Sequence, residues 1–213
     1  MNQAGRSLVT AAVMLVAYSV PTRAQEEPFH GWVLLGMGTG AANVACSGGG
    51  CPSGWQLHGP TLLLTGGAML TPHLGVGVGL DKWWRGPADT VETNTATLLL
   101  HYYPSVRAGA FIEGGAGLSR AAVWLDGDRV AQGKGWAVMA AVGYDVRLHR
   151  VHGADISLIP RVSYVYSPIG DVPYAAGSPP LATGWRHQVL AVGLGIGVVG
   201  PRTRELREAV RSP

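Results

Sequence analysis

The chain has 213 residues, of which 47% are hydrophobic, 14% charged and 32 are glycine, with a net charge of +3. Low charge and abundant glycine without a collagen period argue against a soluble α/β enzyme and favour many short strands. The sequence pI of about 9.1 does not come from a clustered basic face, so no nucleic-acid partner is implied.

Residues 1–24 form the first element. Arg6 gives a short positive start, Ser7 to Val20 is apolar and uncharged, and Pro21-Thr22-Arg23-Ala24 supplies a cleavage point before Gln25. This is the three-part pattern of a secretory signal peptide, with an apolar core too short for a spanning helix. Setting aside its two arginines lowers the net charge from +3 to +1. Residues 201–213 form a short charged tail with four arginines and two glutamates. The part between, 25–200, reads as one domain.

Within it, eight runs show apolar residues at every second position, a strand period. They span roughly 31–40, 60–70, 74–84, 91–103, 106–118, 136–148, 154–166 and 185–199. Long and short connections alternate between them, as in an antiparallel up-and-down barrel standing in a membrane. In the third run Leu74, Val76, Val78 and Leu80 oppose Gly75, Gly77, Gly79 and Asp81; in the eighth, Leu190, Val192, Leu194, Ile196 and Val198 oppose Ala191, Gly193, Gly195 and Gly197. The large apolar set is expected to face lipid and the small or polar set the lumen. Pro160 falls inside the seventh run, where a closed barrel has no edge strand to host it, and a bulge is the expected accommodation. Aromatic residues gather at run ends: Trp84, Trp136, Tyr164, Tyr166 and Trp185 near the long connections, and Trp32, Tyr102 and Tyr144 near the short turns. They are expected to form two interfacial girdles.

Three segments carry a family resemblance: Phe111-Ile-Glu-Gly-Gly-Ala-Gly117, Val142-Gly-Tyr-Asp145 and Leu158-Ile-Pro-Arg-Val-Ser-Tyr164. With the layout of runs and connections, they resemble the small eight-stranded outer-membrane β-barrels, the OmpA-type transmembrane domain and its relatives. That resemblance implies an all-β, eight-stranded antiparallel up-and-down transmembrane β-barrel in the Gram-negative cell envelope. It also implies a monomer that meets periplasmic chaperones and the barrel assembly machinery during biogenesis, with the outer-membrane bilayer as its solvent. The last run departs from the pattern, because Val198 stands where such barrels usually close on an aromatic residue.

An interior this narrow is filled by side chains. Inward parity places Asp81, Arg107, Glu113, Asp145, Arg147 and Arg161 there, and charges so confined must pair; an internal ion-pair network is expected. Cys46 and Cys51, five positions apart in an exported chain, are expected to form a disulfide closing a small loop. Gly36-x-Gly38-x-Gly40 has no following helix to cradle a phosphate. Asp126 with Asp128 offers too few oxygens for calcium; Asp126-Gly127 is instead a hairpin signal, and its segment is expected to extend both flanking strands beyond the membrane. No cofactor, metal or catalytic set is expected. The leading function is structural or surface interaction through the outer loops. The alternatives are a narrow pore, a soluble lipid carrier, and a lipid A-modifying enzyme using His187 and Ser163, although no histidine stands in a His-x-Ser arrangement.

Overall fold

The computed structural model describes residues 31–47, 57–86, 90–105, 108–151, 154–173 and 180–199. The expected leader, the tail, Cys51 and Arg107 lie outside them. The described residues form nine strands: β1 (Gly31–Ala45), β2 (Leu57–Met69), β3 (Leu74–Arg85), β4 (Thr90–Tyr102), β5 (Ala110–Leu125), β6 (Asp128–Tyr144), β7 (Val146–Val151), β8 (Ala154–Val172) and β9 (Ala182–Val199). Sequential strands pair antiparallel, β1 pairs β9, and β6 and β7 both pair β8. Strands β6 and β7 are two parts of one stave separated by Asp145, so the sheet closes as an eight-stave, up-and-down barrel. Closure removes every free sheet edge.

The sidedness is inverted relative to a soluble protein. Leu98, Leu118 and Met37 are each more than 70% exposed, and Val78, Leu100, Val142, Val192 and Ile196 stand on the same outer wall. Inside, Glu113 is 1% exposed and Arg161 5%. A wall this apolar in water would far exceed the patch size a monomer tolerates; in a bilayer it is solvated. On β6 the belt runs from Tyr144 to Trp136, both exposed. Eight residue steps cover about 26 Å of strand, or about 20 Å of height at a tilt near 40°, most of the apolar band of about 25 Å in such barrels.

Above that belt the strands continue, as the Asp126-Gly127 hairpin signal leads one to expect. The fifth and sixth runs lengthen into a hairpin joining Leu125 to Asp128. Its two turn residues, Asp126 (φ 50°) and Gly127 (φ 86°), both have positive φ, as a two-residue type I′ hairpin turn requires. Period two fades there because the outer face turns polar (Arg120, Gln132, Lys134) while the inner face stays small and apolar. That inner face builds a cluster of Ala42, Val44, Trp83, Ala131, Val172 and Trp185. A middle cluster holds Leu99, Met139 and Val165. A lower one holds Leu34, Tyr103, Phe111 and Ile159.

Pro160 is accommodated differently from the expected bulge. It keeps its place opposite Leu194 with no register shift. The interruption falls on the other side, where β6 ends at Tyr144 and β7 begins at Val146. The register of β8 is the same before and after the gap: Arg161 faces Gly143 and Leu158 faces Val146. Proline has no N–H to donate, so the ladder lapses between these two pairs; the register shift on this seam falls further along, between Arg147 and His149, and not at Pro160. The Asp145 N–H donates to the Gly109 carbonyl instead, at 2.9 Å.

Candidate functional site

The charged centre of the lumen is assembled by parity and closure together. On β4, His101 lies directly opposite Glu113 of β5; both side chains point inward, and Nδ1 of His101 meets Oε1 of Glu113 at 2.9 Å. Arg161 reaches in from β8, two staves beyond β5. Its Nε donates to Oε2 of Glu113 at 3.0 Å, and Nη2 lies 2.8 Å from the same oxygen. Asp81 arrives from β3, four staves from β8 by either route around the ring, and its Oδ1 lies 3.8 Å from Nη1 of Arg161. One guanidinium therefore bridges the full diameter. A buried carboxylate without such partners costs several kcal/mol; here the arginine and the imidazole offset that penalty.

Rings seal the level beneath. His101 stacks on Phe111 (centroids 4.5 Å apart, planes 26°) and also packs against Tyr103 at 4.6 Å and Trp32 at 4.7 Å. Trp32 is 3% exposed, so its indole fills the lumen and is not part of an outer girdle. The first run is apolar at both parities, so periodicity alone could not set its facing. Trp185 needs the same correction. It is buried in the upper cluster because it shares parity with His187 and Val189; its height near the long connections does not decide its facing. Tyr102, Trp136, Tyr144 and Tyr164 stand exposed on the outer wall, and Trp84 and Tyr166 are half-buried there.

Of the other expected charges, Arg107 lies outside the described residues, and Asp145 and Arg147 belong to a second group nearer the short turns. The Tyr103 hydroxyl donates to Oδ2 of Asp145 at 2.5 Å. Arg147 Nε lies 2.9 Å from Oδ2 of Asp155, and Arg150 Nε 3.5 Å from its Oδ1. Asp145, Arg147 and Asp155 line a cavity of about 200 Å³ at the short-turn mouth, with Gly109, Tyr144 and Ser157. The expected network is thus two groups at different heights. Sequence reasoning missed His101 and Tyr103, although the inward parity of Thr93, Thr95, Thr97 and Leu99 points to both.

His187 does not meet Ser163. Ser163 faces Ala191 across β8–β9, whereas His187 faces Ser167, four positions higher. The imidazole Nδ1 instead contacts Thr93 Oγ1 at 2.5 Å, with Trp83 edge-on at 5.1 Å. Among the described residues, no group of three or more His, Cys, Asp or Glu could hold a metal ion. A cavity of about 50 Å³ remains between the charged centre and the upper cluster, bordered by Leu63, Trp83, Ile159, Val189, Asp81 and Arg161. That is room for water, not for a lipid or drug-sized molecule.

No protein-family model matches the sequence, and no curated protein matches it as a relative. Solved structures do resemble it. Neisserial surface protein A matches at 18% identity over 79% of this chain and 97% of that one, with a TM-score of 0.50. The fold is that of the small eight-stranded outer-membrane barrels. Among these barrels, Ail, the attachment invasion locus protein of Yersinia pestis, matches at 14% identity over 79% and 99% of the two chains, TM-score 0.49. The outer-membrane protein OprG of Pseudomonas aeruginosa matches at 13% over 82% and 98%, TM-score 0.38.

Proposed function

We propose that this chain is a non-enzymatic, non-conducting outer-membrane barrel that acts through its long-connection end. The observation that carries this reading is the Glu113–Arg161–Asp81 bridge across the lumen diameter, with packed clusters above and below it. A barrel filled in this way offers solutes no continuous aqueous path. Its rigid wall is instead a frame for the connections, the usual place for recognition on such a scaffold. A disulfide between Cys46 and Cys51 would brace the first of these connections.

The apolar outer wall counts against a soluble lipid carrier, and the small cavity leaves no space for a cargo. The separation of Ser163 from His187 counts against the lipid A-modifying enzyme. Planar-bilayer recording tests the reading. The wild-type protein is expected to give no unitary conductance, and steady single-channel steps from it would overturn the sealed-barrel reading in favour of a pore.

A further inference from the structure

Four residues stand side by side on the outer wall, one ladder step above the apolar belt. Lys82 faces Asn94 across β3–β4, Asn94 faces Arg120 across β4–β5, and Arg120 faces Lys134 across β5–β6. One step below, in the same registers, lie Leu80, Ala96, Leu118 and Trp136, of which Leu118 is 74% exposed. The row therefore sits where hydrocarbon gives way to lipid headgroups.

Two features of this row suit an anion. Like charges directly opposite on neighbouring strands destabilise a sheet, and Arg120 opposite Lys134 is such a pair. Among the described residues, Glu92 binds Lys82 at 3.1 Å, and Asp171 accepts from the Gly184 N–H at 3.1 Å. Second, Arg120 is held in place beside Lys134, because its Nη2 donates to the Gln132 side-chain oxygen at 2.5 Å. A tetrahedral oxyanion between the two side chains would accept from the guanidinium and from the ammonium, and would turn a repulsive pair into a charge-assisted one. Below the pair, Trp136 meets Tyr166 edge to face at 5.9 Å, an amphipathic floor of the kind that settles at a membrane boundary.

We infer that Arg120 and Lys134, flanked by Lys82 and Asn94, bind the phosphate of a phosphorylated glycolipid in the leaflet at the long-connection end. The inference rests on the membrane reading of the barrel and adds a specific lipid site to it. The test uses protein folded in phosphate-free maltoside micelles, with the heat-dependent shift of the unboiled band as the check on the barrel. Bisphosphorylated lipid A is the probe, and binding is followed by native mass spectrometry. Wild-type protein is expected to retain lipid A, and Arg120→Gln/Lys134→Gln to bind at least tenfold more weakly while keeping its heat-shifted band. Arg129→Gln, at the exposed hairpin, should bind as wild type does. Equal binding by the double variant overturns the site. Competition by inorganic phosphate at matching concentration, or preference for a sulfated polysaccharide, overturns the lipid assignment. Absence of a heat-shifted band in wild-type protein overturns the membrane reading itself, and the site with it.

Discussion

Arg161 holds Glu113 through two nitrogens, Nε at 3.0 Å and Nη2 at 2.8 Å, from a strand two staves away. Because both groups are almost fully buried, each is the other's main means of tolerating a dry interior. Removing one partner of a buried pair costs about 3–5 kcal/mol, while replacing both by apolar residues of similar volume is often neutral or stabilising. Glu113→Ala is expected to lower the urea midpoint of the detergent-folded barrel sharply. Because Arg161 also partners Asp81, the compensating variant is Glu113→Leu/Arg161→Met/Asp81→Asn, which should recover most of that loss; a combined variant as weak as the single one would show that the buried charges are not the source of the cost.

The inward placement of Trp32 makes a second expectation. Truncating a buried indole costs about 3–5 kcal/mol, so Trp32→Ala should destabilise the barrel strongly and loosen the packing around His101. Trp136→Ala removes an exposed, lipid-facing ring and should change the midpoint by much less. Comparable losses at the two positions would put Trp32 back on the outer wall.

Gly127 closes the β5–β6 hairpin at φ 86°. A Cβ there meets no neighbouring atom, so the strain on substitution is purely conformational, about 1–2 kcal/mol. Gly127→Ala is expected to fray the hairpin above the membrane without affecting the belt. Limited proteolysis should show faster cutting near Asp126–Asp128 with an unchanged heat-shifted band.

Pro160→Ala restores an N–H beside the gap between β6 and β7. A typical hydrogen bond contributes about 1 kcal/mol net, so the variant is expected to be no less stable than wild type. Amide exchange at Tyr144 and Val146 should slow. Faster exchange at those amides would mean that the interruption has another cause.

The barrel was legible wherever one face of a strand meets lipid and the other meets a crowded lumen, because that contrast is what period two records. Leu74 to Leu80 is the clearest case. Above the belt the contrast fades: Arg120 and Lys134 face headgroup height while Ala121 and Ala131 pack inside, so the strand ends were set short. Parity pointed Glu113 and Arg161 inward, and it pointed His101 inward as well, but a lone histidine amid threonines gave no charge to pair. That Asp81 meets Arg161 depends on ring closure, a property of the whole chain and not of either strand. Trp32 and Trp185 were misplaced for a shared reason: height along a strand says nothing about which side a ring takes.

The strands that close the ring, β1 and β9, are the first and last among the described residues. Their inner faces carry Gly36 opposite Gly195 and Gly38 opposite Gly193. An added Cβ on Gly38 would lie 2.1 Å from the Val192 carbonyl oxygen, so the two backbones run almost bare against each other. Joining them means closing a loop of nearly the entire domain, the entropically dearest contact in the molecule. Along Gly36–Gly40 and Gly193–Gly197 that seam has no inward side chains to thread past one another, and there the two strands can slide together like the lips of a zip.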